Sequence, residues 1–308
     1  MYTFIVNPNA RSGLGQKVWK KLENILKEKE IDYEVYFTRH PKHATEITTT
    51  ITSDGNNHTV VALGGDGTVN EVVNGICDFD KTILGYIPIG SSNDFARGLH
   101  LPTKPEEALL NILACPNLHS MNVGELSFKN KKRRFAVSAG MGFDADIVHE
   151  SVVSHVKQFL NRFKLGKLTY VAIALHRLFV TKPGTATVTI DDNETLSFPS
   201  TYFVALMNNP YEGGGVMFCP KAKNNDDKLD ILIASNISKL KVLCLLPLAL
   251  FGWHTPFKGV NIFRCSKIDV HSEIALPIHT DGEPIFLQHK ISARCLPEKI
   301  RVITSKKL

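Results

Sequence analysis

No two cysteines of this chain stand close enough for a Cys-x-x-Cys pair; the six, Cys77, Cys115, Cys219, Cys244, Cys265 and Cys295, are widely scattered. That spacing fits buried free thiols in a reducing compartment better than a disulfide framework or a thiolate zinc site. The opening residues Met1-Tyr2-Thr3-Phe4-Ile5-Val6-Asn7 lack the basic region and long apolar stretch of a secretory leader, and read as a first strand. Long apolar runs are missing too. The stretch Val242–Trp253 is interrupted by Pro247 and falls short of the roughly 20 residues that span a bilayer. A cytoplasmic protein is expected, with no transmembrane segment and at most a peripheral contact with a membrane surface. There is no dense basic stripe, so nucleic acid is not the expected partner. The twelve histidines show no metal-ligand spacing, and His40 and His43 read as local hydrogen-bonding residues. No Gly-x-Ser-x-Gly elbow, Walker-type Gly-x-x-x-x-Gly-Lys-Ser/Thr loop or dinucleotide Gly-x-Gly-x-x-Gly pattern occurs.

What is present is an ordinary globular composition, 43% hydrophobic and 21% charged over 308 residues, enough for about two domains. The formal charge of +6 favours anionic partners such as nucleotides or acidic membrane surfaces. The first third alternates strand and helix patterns: Thr3–Asn7 as strand, Leu14–Lys29 as helix, Tyr33–Thr38, His43–Thr52, Thr59–Leu63, Val69–Ile76, Thr82–Ile89 and Glu106–Leu113 in turn. Such alternation with apolar strands predicts a doubly wound parallel sheet, whose ligands bind beyond the carboxyl ends of the strands.

Near Leu118 the character changes to short β patterns at Asn122–Phe128, Phe135–Ser138, Thr185–Ile190, Thr195–Phe198, Tyr202–Met207, Leu229–Ala234, Val260–Val270 and Ile285–Leu287. Polar turns separate them, and helical stretches interrupt near Ala145–Phe159 and Leu168–Phe179. The expectation is an α/β domain over 1–120 and an antiparallel β-sandwich domain over 121–308, with the last residues free to return to the first domain.

Four loops sit where the strands of the first region end: Asn7–Gly13, Thr38–Ala44, Gly64–Asn70 and Gly90–Ala96. In the third, Gly64-Gly65-Asp66-Gly67-Thr68, glycines allow close backbone approach to a polyphosphate, and the free N–H groups of the following helix face an anion. Asp66 would repel a bare phosphate, which points to a bridging Mg²⁺. Asn70 and Glu71 are placed to orient water or a hydroxyl. A single glycine loop can be no more than a tight turn, and Ser91, Ser92 or Asn93 can simply cap a helix. Four successive loops are harder to dismiss.

Together with the Asn7–Gly13 loop and Thr38 followed by His43-Ala44, the segments Gly64–Glu71, Pro88–Arg97, Asp226–Asp230 and Asp281-Gly282-Glu283 give the chain a resemblance, over nearly its whole length, to the soluble bacterial lipid kinases of the diacylglycerol kinase family. The resemblance implies ATP bound in a cleft between a nucleotide domain and a β-sandwich. Asn9, Ala10, Arg11, Ser12, Gly13, Thr38, Gly64, Gly65, Asp66, Gly67, Thr68, Val69, Asn70 and Ser91 would contact the nucleotide. Ser91 stands where the family often has threonine. It also implies a structural Mg²⁺ in an acidic loop, for which Asp226, Asp227 and the Leu229 carbonyl are the nearest matches, although many members have Asp-Gly in place of Asp226-Asp227.

Phosphoryl transfer to an alcohol needs an acceptor for the hydroxyl proton. Glu283 is similar to the family's catalytic glutamate, with Asp281 as helper or metal-water ligand. Read alone, Asp281-Gly282 is better taken as a type I′ hairpin turn, which is compatible with presenting a carboxylate into a cleft. The basic cluster Lys129, Lys131, Lys132, Arg133, Arg134 reads as a solvated turn or an attraction to anionic lipid. Leu243–Trp253 reads as core helix or, with Lys239 and Lys241, as a docking face. An ATP- and Mg²⁺-dependent lipid kinase is expected, diacylglycerol being the first substrate to test. A kinase of a soluble acceptor such as NAD and a non-catalytic nucleotide-binding regulator are the alternatives. A homodimer is expected from base rates only.

Overall fold

The computed structural model describes residues 1–147, 176 and 178–305. The first sheet has the order β2-β1-β3-β4-β15-β5, built from β1 (Tyr2–Val6), β2 (Tyr33–Phe37), β3 (His58–Gly64), β4 (Thr82–Pro88), β5 (Asn117–Met121) and β15 (Ile300–Thr304). All neighbours are parallel except β15 with β5. Side chains of a strand alternate between faces, so each strand feeds two cores. Phe4, Val6, Val61 and Leu63 pack with Val18, Trp19, Leu22 and Leu26 of α1 (Ala10–Glu28) and Leu109 and Ile112 of α5 (Pro105–Ala114). On the other face Ile5, Val60 and Ala62 pack with Ala44 of α2 (His43–Thr52) and Val69, Val72 and Val73 of α3 (Asp66–Gly75). Each fully buried Leu or Val contributes roughly 1.5–3 kcal/mol. The threonine-rich α2 is a poor helix by propensity. Its buried Thr48 and Thr52 hydroxyls donate to Ala44 and Thr48 carbonyls at 2.7 and 2.8 Å, so burial leaves no polar group unpaired.

The second sheet is antiparallel, in the order β12-β11-β10-β8-β13-β14-β6-β7, with β9 bridging β10 and β13. Its strands are β6 (Gly124–Phe128), β7 (Lys131–Phe135), β8 (Ser138–Gly142), β9 (Gly184–Ile190), β10 (Glu194–Met207), β11 (Leu229–Ser235), β12 (Val260–Cys265), β13 (Lys267–Thr280) and β14 (Glu283–Cys295). The strand patterns expected at Thr195–Phe198 and Tyr202–Met207 are one strand, bent by register shifts near Thr201. That bend lets the first half of β10 pair with β9 and the second half with β8 and β11. The pattern expected across Val260–Val270 is two strands divided at Ser266. Phe135–Ser138 is a junction between β7 and β8. Between β11 and β12 lies α6 (Lys239–Ala249). A short helix, α4 (Asp94–Gly98), follows β4. The helical stretches expected near Ala145–Phe159 and Leu168–Phe179 fall largely outside the described residues. No helix among the described residues is long and apolar enough to cross a membrane.

Candidate active site

The carboxyl ends of β1 to β4 surround a cavity of about 510 Å³. After β1 it is lined by Asn7, Asn9, Ala10 and Arg11; after β2 by Thr38, Arg39, His40 and Pro41; after β3 by Gly65, Gly67 and Thr68; after β4 by Gly90 and Ser91. α3 starts at Asp66, so the unpaired N–H groups of its first turn and its positive end point toward this space. Left-handed backbone occurs at Lys42 and Asn93 in the second and fourth loops, but only the loop after β1 has it at successive residues. Arg11, Ser12 and Gly13 have φ of 45°, 58° and 88°, and regular helix begins only at Leu14. Two successive non-glycine residues in left-handed backbone cost on the order of 1 kcal/mol or more each, a pattern that recurs at ligand loops. The third and fourth loops touch: a Cβ on Gly90 would lie 2.6 Å from the Gly65 Cα. Neither glycine tolerates a side chain without separating them.

Carboxylates hold these loops in register. Asp66 accepts the Phe95 N–H at 3.1 Å and so caps α4 from a neighbouring loop, and it is not among the cavity-lining residues. The capping expected of Ser91, Ser92 or Asn93 is therefore carried by Asp66. Asp94 is buried, pairs with Arg97 and accepts the Gly214 N–H at 2.7 Å. Burial pushes its carboxyl up to about 6, against the pull of the Gly214 N–H. Glu71 lines the cavity, but its two oxygens accept the Lys42 and Ala44 N–H groups at 2.8 and 3.1 Å. It caps α2 and is not free to orient a water. His43 likewise serves the second loop, accepting the Arg39 N–H at 3.0 Å while stacking on His40.

The second sheet supplies one wall. The turn between β13 and β14 carries Asp281, Gly282 and Glu283, with Thr280 paired to Glu283. Asp281 is buried and its carboxylate accepts four N–H bonds: Asn70 Nδ2 at 2.7 Å and the backbone of Ala136, Val137 and Ser138 at 2.9, 2.8 and 2.9 Å. The helper or metal-water role expected of Asp281 does not suit a carboxylate so fully occupied. Its geometry bolts the turn to α3 and to the β7–β8 junction. Asn70, expected against the nucleotide, is instead fully buried between Asp281, the Arg134 carbonyl and Arg133. Arg134 donates to the Val73 and Ile76 carbonyls at the end of α3 and lies over Phe79. Two of the five basic residues of the Lys129–Arg134 cluster thus engage α3.

Held this way, Glu283 reaches across to the third loop. It lines the cavity, and a Cβ on Gly67 would lie 2.6 Å from its Oε1. The closeness of the cleft walls raises its pKa above the ordinary glutamate value; Arg133 opposes that shift, while Glu71 and Asp281 reinforce it. A carboxylate made more basic beside a phosphate-binding loop is the arrangement a proton acceptor needs.

Of the residues expected at the nucleotide, Asn9, Ala10, Arg11, Thr38, Gly65, Gly67, Thr68 and Ser91 line the cavity, and Ser12, Gly13, Gly64, Asp66, Val69 and Asn70 do not. Val69 is fully buried in the core. Asn7, Arg39, His40, Pro41 and Gly90 were not assigned to the nucleotide from the sequence, although each lies inside a marked loop. The acidic loop stands apart from this cavity. The Arg264 guanidinium faces Oδ2 of Asp226 and, at 3.9 Å, Oδ2 of buried Asp230. Asp227 is exposed and paired with Lys299 at 2.8 Å, and Leu229 is buried at the start of β11.

Sequence comparison adds the lineage. Residues 1–126 match the diacylglycerol kinase catalytic domain, and residues 138–304 match the YegS C-terminal NAD kinase beta sandwich-like domain. A Bacillus subtilis protein named "Putative lipid kinase YtlR" is 31% identical over 285 residues, covering 91% of this chain and 92% of that one. A Mycobacterium tuberculosis diacylglycerol kinase is 29% identical over 227 residues, covering 73% and 70%. Among solved structures, a diacylglycerol kinase from Bacillus anthracis superposes with a TM-score of 0.77 at 23% identity, covering 98% of this chain and 96% of that one. An Archaeoglobus fulgidus NAD kinase in complex with ATP superposes at 0.54 and 12% identity, covering 100% and 95%, and shares the fold. Two successive domain matches and a relative aligned over nine-tenths of both chains leave one lineage for the sheet, the sandwich and the cleft between them: this chain belongs to the diacylglycerol kinase family of lipid kinases.

Proposed function

We propose that the chain transfers the γ-phosphate of ATP to the hydroxyl of a membrane lipid, with diacylglycerol as the acceptor and phosphatidic acid as the product. The observation that carries this reading is the placement of Glu283 from the second sheet against Gly67 of the phosphate-binding loop, inside one cavity. The α3 N-terminus and the loops at Asn9–Arg11 and Gly90-Ser91 hold the triphosphate. Thr38 and its neighbours flank the nucleoside. Glu283 accepts the proton of the attacking hydroxyl. Positioning and charge stabilisation do most of the work in such a transfer, which suits a site with many backbone donors and a single free carboxylate.

Mg²⁺ accompanies the nucleotide in this reading and neutralises its phosphates. In the acidic loop the Arg264 guanidinium already faces Oδ2 of both Asp226 and Asp230, so a divalent cation held there would have to displace it. Asp227 is exposed and engaged by Lys299.

Incubation with labelled ATP and a panel of diacylglycerol, a sphingoid base, phosphatidylglycerol, a polyprenol and NAD tests the reading. Label in the diacylglycerol fraction is expected. Label in NAD alone would replace the lipid acceptor with a soluble one, and label in none of them would leave a nucleotide-binding regulator.

A further inference from the structure

The loop that follows α6 shows solvent what a core would hide. Leu240 is 71% exposed, Phe251 61% and Trp253 65%, with Leu250 and Phe257 also exposed. The Phe251 and Trp253 rings stack on each other at 5.1 Å. α6 itself carries apolar residues all round: Val242, Leu245 and Ala249 are buried while Leu240 and Cys244 face out. Among the described residues nothing covers this outer side, where a helix with so many apolar residues would ordinarily be buried.

Charge says what the partner is. Between Asp230 and Asp269 the chain has no acidic residue, while Lys239, Lys241 and Lys258 flank the aromatic pair. The ammonium groups of Lys239 and Lys241 bond backbone carbonyls of Phe179 and Lys258, which fixes them without neutralising them. Apolar rings set among fixed cations complement a bilayer with anionic headgroups, and tryptophan favours that boundary.

Position says why it matters. The Met217 N–H bonds the Ala249 carbonyl at 2.9 Å, and His254 bonds the Phe218 carbonyl at 3.1 Å. Those residues continue from Gly214, whose N–H bonds Asp94 beneath the loop that brings Ser91 to the cavity. The patch is tied to the rim of the cleft through a few residues of chain.

We infer that the Leu250–Phe257 loop and the outer side of α6 form a docking surface for an anionic lipid bilayer, which brings the cleft to the membrane. This rests on the lipid-kinase reading for its purpose, and its test separates the two.

In a Trp19→Phe background Trp253 is the one remaining tryptophan. Its emission should shift to the blue when phosphatidylglycerol–phosphatidylcholine vesicles are added, and less so with purely zwitterionic ones. Phe251→Ala with Trp253→Ala should weaken sedimentation with anionic vesicles about tenfold or more. Lys258→Glu should weaken it for anionic vesicles alone. Turnover of a short-chain, water-soluble diacylglycerol should be unchanged in these variants. Unshifted Trp253 emission, or full vesicle binding by the double variant, overturns the inference. So does a concentration-dependent dimer that the double variant abolishes, since a second copy would then cover the patch. If the native chain binds vesicles yet phosphorylates no lipid, the docking surface stands and the kinase reading falls.

Discussion

Glu283 and His279 are four residues apart on one hairpin and face opposite demands. Glu283 is open to the cleft, and its raised pKa makes it a better base at the cost of staying protonated to a higher pH. The acid limb of the rate profile should therefore lie above the ordinary glutamate range, and Glu283→Gln should remove it. That variant should lose about 10²–10⁴-fold in kcat while nucleotide affinity, read by calorimetry, stays near native. His279 is fully buried, with Nε2 at 3.3 Å from both Asp144 and Glu212. Burial alone would lower its pKa, yet the two carboxylates raise it to about 10. A histidine raised in the folded state stabilises fully below its unfolded value near 6.5, and that contribution disappears as pH rises through about 10. His279→Ala leaves two buried carboxylates without their cation, a loss on the order of 3–5 kcal/mol in urea unfolding at pH 7. The loss should shrink as pH falls toward 5, because Asp144, whose pKa burial raises, takes up a proton.

At the scale of elements, what joins the two sheets at the cleft is a set of hydrogen bonds around α3, β7 and the β13–β14 turn. Asp281→Ala removes the acceptor for three consecutive backbone N–H groups and for Asn70. Buried donors left unpaired cost about 1–3 kcal/mol each where no water reaches them, so a net loss of roughly 3–5 kcal/mol is expected. Turnover should fall with it, because the same turn presents Glu283. Asp281→Asn, which keeps the acceptor oxygen for part of the set, should recover some of both; equal damage from Asn and Ala would assign the effect to charge and not to hydrogen bonding. Much of this was readable in the chain. The glycine loops, the strand–helix alternation and the Asp281-Gly282-Glu283 turn were all visible because each rests on local backbone chemistry. The duties of Asp66, Glu71 and Asn70 were not. Each sits in a loop that invites a ligand, and each spends its polar atoms on a backbone group brought near only by folding.

For the molecule as a whole, the return of β15 is the decisive connection. It lies between β4 and β5, pairing with Ile83 and Leu84 on one side and with Asn117–Met121 on the other. A chain ending at Glu298 would leave the β4 edge open and strip Ile300, Val302 and Ile303 from the two cores. Such a truncation is expected to lose cooperative thermal unfolding and to bind a hydrophobic dye. The 1–126 segment expressed alone should do the same; a sharp calorimetric transition from it would mean that the first sheet closes without its sixth strand.

The amino-acid sequence by itself determined the doubly wound sheet, the four strand-end loops and the hairpin that carries Glu283, because periodicity, glycine and turn chemistry act over a few residues. Only the tertiary structure decided which polar groups of those loops face the cavity and which are consumed as caps. It also decided that the Leu243–Trp253 run, which reads first as core helix, leaves its rings in solvent. The physical reason is common to both. A buried N–H must find an acceptor and an apolar face must find cover, and which partner meets each is set by segments far apart in the chain.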